Sequence, residues 1–303
     1  MDSAAAPAPR TCDVWLVPVR RREAWTRLLT VPDREQLVGL DALATDVHLT
    51  SRAAQRLILA RYLGLAPQDV VVDRACDRCG DPQHGRPHVK DAALDYSVSH
   101  TRAWVLVAVV GEGRVGANLD ARPEDGDLDD LAAAALTRAE HHAWRRLPAR
   151  DRADALLASW TRKEATTKLV GHGLAIPLRD LDVTGPRPSL VTADPSVRLP
   201  HPRPYLTHVP APAGHSAALA TTTHVDQVRH LRLPDALPEA VADALPEAVA
   251  PRAAVPRPSV PSLAVPGPSV PSLAVPRAVP SPRTAHPAHP SRPLTGTAAR
   301  PTY

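Results

Sequence analysis

"DRADALLASWTRKEATTKLVG" (Asp151–Gly171) decides how this chain is put together. Leu156, Trp160, Glu164 and Lys168 recur at steps of four, which places them on one stripe of a helix running from about Asp151 to Val170. Gly171 supplies the left-handed residue at which such a helix stops. A stripe that carries Leu156 and Trp160 is partly buried, so its carboxylate and ammonium are not an ordinary solvated pair, which would contribute about 0.3–0.5 kcal/mol. The chain has thirty-three arginines and three lysines, yet two of the lysines, Lys163 and Lys168, fall either side of Glu164. A compact ammonium serves as a point charge on phosphate or as a proton donor in ways a guanidinium does not.

Outward from that helix the sequence alternates strand-like and helix-like stretches. "CDVWLVPV" (12–19), "DVVVDRAC" (69–76), "DYSVSH" (95–100), "RAWVLVAVV" (102–110) and "VGANLD" (115–120) read as strands. "TSRAAQRLILARYLG" reads as a helix that starts at Thr50 or Ser51 and stops at Gly64. Thr137 and Glu140 form a capping box opening a shorter helix. "LRDLDV", "RPYLTHV" and "GHSAALATTT" return to strand patterns. This order predicts an α+β fold with mostly antiparallel sheet. Two pseudo-symmetric α/β halves are expected, 12–111 and 112–230, followed by a third segment, 231–303. From Leu233 onward "DALPEAVA" and "PSVPSLAVP" each occur twice, and proline recurs too often for a helix or central strand. That tail is expected to be disordered and proline-rich.

On the strand "VGANLD", Asn118 and Asp120 project to the same side, and Gly116 lets another backbone or a ligand approach. Together with Glu164 they make three oxygen donors, a set suited to Mg²⁺ that keeps waters and substrate phosphates. Ser99-His100, between two apolar strand runs, could meet an anion; no acid partner for a hydrolase triad is nearby. Cys76, Cys79, His84 and His88 have the C-x2-C-x4-H-x3-H spacing of a small zinc knuckle. Few aromatics accompany it, and with a formal net charge of +4 and interleaved charges the chain is not expected to bind nucleic acid. No run of 18 apolar residues suggests a membrane span, no signal-peptide pattern opens the chain, and three cysteines make no disulfide framework. A cytoplasmic setting is expected.

Three segments, "SVSHTRAWVLVAV" (97–109), "VGANLDARPED" (115–125) and "WTRKEATTKLVGHGLAIPL" (160–178), taken in this order resemble the 4′-phosphopantetheinyl transferase family, in the two-domain type that activates peptide and polyketide synthases. The resemblance implies transfer of phosphopantetheine from coenzyme A to a serine of an acyl, peptidyl or aryl carrier protein, with Mg²⁺ as cofactor and 3′,5′-ADP released, by a monomer. By the same likeness Arg52, Arg86, Ser99 and His100 hold the nucleotide of coenzyme A, and Lys163 and Lys168 lie on its phosphates. Asn118, Asp120 and Glu164 then bind the metal, with Glu164 and Lys168 catalytic. The chain departs from the family where Gly-hydrophobic-Asp-hydrophobic-Glu becomes Gly116-Ala117-Asn118-Leu119-Asp120, which implies weaker metal binding. Basic residues are also scarce at 35–50. The alternative implied is a relative that binds coenzyme A or a carrier without turnover.

Overall fold

A computed structural model of the full chain describes residues 5–76, 80, 85–123, 128–171, 176–192, 198–199 and 202–233. The proline-rich tail, and Cys79 and His84 of the zinc spacing, lie outside the described residues. The chain opens with strand β1 (Thr11–Pro18), a short helix α1 (Val31–Glu35) and the long helix α2 (Ala42–Leu63). A hairpin follows, β2 (Asp95–His100) and β3 (Trp104–Val110), and then β4 (Val115–Ala121). Helices α3 (Leu128–Ala135), α4 (Arg138–Arg145) and α5 (Ala149–Val170) come next. The two-residue strands β5 (Leu181–Asp182) and β6 (Ser189–Leu190) precede the hairpin of β7 (Tyr205–Val209) and β8 (His215–Thr221), and β9 (Gln227–Leu231) closes the described chain. The fold is mixed α+β.

Strand alternation explains the layering. In β1, Trp15 and Val17 join Val105, Val107 and Val109 of β3 against α2, while Cys12 and Val14 join Leu106, Ala108 and Val110 on the opposite face. That opposite face packs on Val115, Ala117, Leu119, Ala217 and Leu219 of the second sheet. The outer face of the second sheet meets α5 through Ala165, Leu169, Ala218 and Ala220. The sheet orders are β2-β3-β1-β9 and β4-β8-β7, with β1 antiparallel to β3 and parallel to β9.

Side chains join the two sheets where backbone pairing stops. Strand β4 is an edge, and three alternate residues of β2 reach its open side. Asp95 accepts from Val115 N (2.7 Å), Ser97 accepts from Ala117 N (2.9 Å), and Ser99 Oγ lies 2.9 Å from Asn118 Oδ1 and 3.3 Å from Leu119 O. Edge groups that would otherwise be buried unpaired are thereby satisfied. Gly116 brings α5 in equally closely: a Cβ there would overlap the Ala165 carbonyl and come within 2.5 Å of Leu169 N.

Several local expectations hold. Both bonds of the Thr137–Glu140 capping box form, and α5 ends on Gly171 at φ 74°. Others differ. Helix α2 begins two turns before Thr50, because Asp41 is the residue that caps it, through its side chain on Ala44 N, and "ALATDVHL" (42–49) continues the same helix. The expected strand at 69–76 is instead a 3₁₀ turn (Pro67–Asp69) and a single bridge between Asp73 and His88, with Val71 left 76% exposed. Strand β9, which the pattern did not suggest, returns to the first sheet, where Arg229 pairs with Asp13 (2.6 and 2.8 Å). No described helix is long and apolar enough to cross a membrane.

Candidate active site

A groove of about 770 Å³ opens where α2, the end of β2, β4 and α5 converge. Arg52, Ser99, His100, Asn118, Asp120 and Lys168 line it, so six of the nine residues singled out in the sequence meet in one place. His48, Gln55 and Arg74 line it as well. A smaller hollow of about 430 Å³, bounded by Leu136, Arg138, His141 and Arg179, shares no lining residue with it.

Lys168 crosses from α5 to both sheets, donating to Asn118 Oδ1 (2.7 Å) and Ser99 Oγ (2.9 Å). Desolvation pulls its pKa down to about 8, opposed by the nearby carboxylates of Glu164 and Asp120. Glu164, one turn earlier on α5, is 3% exposed. Burial raises its pKa; Lys168 counters this and Asp120 adds to it. Glu164 Oε1 is buried with no hydrogen-bond partner among the described residues. An orphaned carboxylate oxygen beside a second buried carboxylate is costly unless a cation or donor arrives.

The nucleotide end of the groove is cationic. Arg52 donates to Gln36 Oε1 (2.9 Å) and sits 3.3 Å from Asp33, and burial followed by Arg74 holds it down to about 10. Arg74 is buried and bonded to neutral oxygens, Gln55 Oε1 (2.9 Å) and Val72 O (3.5 Å), with no carboxylate within ion-pair distance among the described residues. His100 is exposed by surface area because it faces the groove, yet protein crowds around it. Desolvation, then Lys168 and Arg52, holds its pKa down to about 4, and His48 is held at about 4 by burial and then by Arg52. Cations without full compensation in a concave site favour an anionic ligand.

Two residues lie elsewhere than the resemblance implied, and a third lies deeper. Lys163 is 0% exposed and donates to Glu140 Oε2 (2.5 Å), Ala135 O (2.8 Å) and Leu178 O (2.9 Å), so all three of its N–H bonds are used inside the protein. It cannot also reach a coenzyme, and its role is structural. Arg86 forks onto Asp95 (2.8 and 2.5 Å) and donates to Tyr96 O and Val115 O, outside the groove although Gly85 and Pro87 line it. Its guanidinium braces the joint between the sheets. Glu164 stands behind the groove lining, within electrostatic reach of Asp120 and Lys168. Arg74 was missed; the clue was an arginine directly after the "VVVD" run, and nothing in its spacing marked it.

The donors suit a hard divalent cation through Asp120 and Glu164, which supply one orphaned oxygen and two charges, the usual complement when substrate phosphates and waters complete the shell. Among the described residues no cluster of three or more Asp, Glu, His or Cys side chains is arranged to hold a metal.

Residues 116–220, from β4 to the end of β8, match the family model described as the 4′-phosphopantetheinyl transferase superfamily. The chain is similar to 4′-phosphopantetheinyl transferase HetI of a Nostoc species, with 31% identity over 124 residues, which are 41% of this chain and 51% of that protein. The chain thus spans about half the length of the curated relative it matches. Within the superfamily match lie Asn118, Asp120, Glu164 and Lys168; Arg52, Arg74, Ser99 and His100 lie before it.

Proposed function

We propose that this chain transfers 4′-phosphopantetheine from coenzyme A to a serine hydroxyl of an acyl, peptidyl or aryl carrier protein, releasing 3′,5′-ADP. One observation carries this reading: the groove gathers Arg52, Arg74 and Lys168 at the same opening as Asp120, with Glu164 buried behind its lining within electrostatic reach of Asp120 and Lys168. A diphosphate needs cations along its length, and its cleavage needs a base for the incoming hydroxyl. The superfamily match and the similarity to a transferase support the reaction class.

Arg52 and Arg74 would hold the anionic nucleotide end, and Lys168 the diphosphate, where a fixed ammonium offsets charge building on the leaving oxygen. Glu164 Oε1, which has no hydrogen-bond partner among the described residues, would take the proton of the carrier serine. The serine oxygen bonds to the phosphorus bearing pantetheine, the bond from that phosphorus to the bridging oxygen breaks, and the electron pair leaves on 3′,5′-ADP. Mg²⁺, held by Asp120 and Glu164, would supply further neutralisation of the diphosphate. The setting proposed is a cytoplasmic monomer serving peptide or polyketide synthases. Strands β1-β3-β2 and β4-β8-β7 follow the same order, each set with a long helix packed on one face, which supports two halves derived from one duplicated unit, with β9 added to the first sheet.

A second reading, binding without turnover, is favoured by Asn118, whose oxygen is already committed to Lys168. Incubation with coenzyme A, Mg²⁺ and apo carrier domains separates the two. Transfer adds the phosphopantetheine mass to a carrier and yields 3′,5′-ADP, and a chelator stops it. No mass gain over fatty-acid, polyketide and peptide carriers, with coenzyme A still bound, would leave the second reading.

A further inference from the structure

Asn118 is 2% exposed, and its side-chain oxygen faces two donors, Ser99 Oγ at 2.9 Å and Lys168 Nζ at 2.7 Å. An amide carbonyl has two lone pairs, so this oxygen has no acceptor capacity left. A metal ion on it would have to displace Ser99 or Lys168, and in the second case would meet an ammonium close by in a poorly solvated site, a repulsive placement. Ser99 in turn accepts from Lys168, so the serine and the asparagine form a two-point seat for one ammonium. Its three parts come from β2, β4 and α5, and the seat sits at the joint between the sheets, beside Glu164 and Asp120.

We propose that Asn118 is a positioning residue for the Lys168 ammonium and not a donor to the metal, which is left to Asp120 and Glu164. This rests on the reading of the groove as a diphosphate site. Neutrality at position 118 matters to it. A carboxylate there would pair with Lys168 and cancel charge the diphosphate needs, whereas an amide aims the ammonium and leaves its charge intact.

The test uses the full chain and its lysine usage. Lys90 is exposed, Lys163 is enclosed and Lys168 is seated, so acetylation by acetic anhydride read by peptide mass spectrometry gives three distinguishable rates. In Asn118→Ala, Lys168 should acetylate about tenfold faster relative to Lys90, having lost a hydrogen bond to its charged form. Titration with Mn²⁺ alone should show the same affinity in Asn118→Ala as in the native protein. Asn118→Asp should weaken coenzyme A binding measured without metal, while Asn118→Gln restores part of the native lysine rate. An unchanged Lys168 rate in Asn118→Ala, or a loss of Mn²⁺ affinity of about tenfold or more, would overturn the proposal. If the native chain binds no Mn²⁺ and transfers nothing, the diphosphate reading fails separately, and the acetylation rates still decide whether Asn118 seats Lys168.

Discussion

Replacing Lys163 with methionine should destabilise the protein far more than any exposed lysine would. The Lys163 ammonium meets Glu140 Oε2, Ala135 O and Leu178 O, and Glu140 also accepts from Thr137 N and Val183 N. One side chain therefore ties α5 to the end of α3, to the cap of α4 and to the segment around β5. Methionine fills similar volume but leaves the Glu140 carboxylate buried with two amides and without its hydrogen-bonded ammonium, and takes one donor each from the Ala135 and Leu178 carbonyls. Breaking a buried pair in this way costs about 3–5 kcal/mol, out of a total stability on the order of 5–15 kcal/mol. At about 2–4 °C per kcal/mol for a chain of this size, the melting temperature should fall by about 6–20 °C. Urea unfolding at neutral pH and calorimetry measure both quantities. Lys163→Arg should also destabilise, because a planar guanidinium cannot point at three acceptors arranged around one nitrogen. Adding Glu140→Gln to Lys163→Met should recover part of the loss by removing the unpaired charge. A Lys163→Met cost below about 1 kcal/mol, the range of an exposed pair, would refute the assignment.

Gly116→Ala should cost about 1–3 kcal/mol or more and weaken coenzyme A binding, since the added methyl meets the backbone of α5 at Ala165 and Leu169 and must push Glu164 and Lys168 off β4; urea titration and calorimetry read both effects. Arg74→Gln should weaken coenzyme A binding and reduce its salt dependence while leaving the far-ultraviolet circular dichroism unchanged; equal affinity would remove Arg74 from the site. His48 and His100 are held at about 4 against an ordinary 6.5, so the unfolded chain takes up protons first and stability should fall as pH drops from 6.5 towards 4. His48→Gln should flatten that loss in urea titrations at stepped pH, and an unchanged slope would contradict the assignment.

Much of this was legible because the long helix advertises itself. Leu156, Trp160, Glu164 and Lys168 sit four apart, and Gly171 ends the element where expected. Lys163 was misjudged by taking both lysines together. Five positions apart on a helix they differ by about 140° in direction, so one faces α4 and the other β4. The capping box at Thr137 was visible, but not that Glu140 also receives Lys163, since that contact spans 23 residues. Arg86 was expected on the nucleotide through the resemblance, and the fold gives it to Asp95. Arg74 and β9 left no periodic trace: the first is defined by its distance from Gln55, the second by an exposed strand whose partner lies more than two hundred residues earlier. Tertiary placement settled each of these, and periodicity does not carry it.

The transfer reaction with Glu164→Gln tests the central claim most directly. In a single-turnover reaction with coenzyme A, Mg²⁺ and an apo carrier, the native chain should form holo carrier. Glu164→Gln, having lost both the base and one metal donor, should still bind coenzyme A but transfer at least about a hundredfold more slowly. Transfer by Glu164→Gln at close to the native rate would contradict a site in which that buried carboxylate accepts the serine proton.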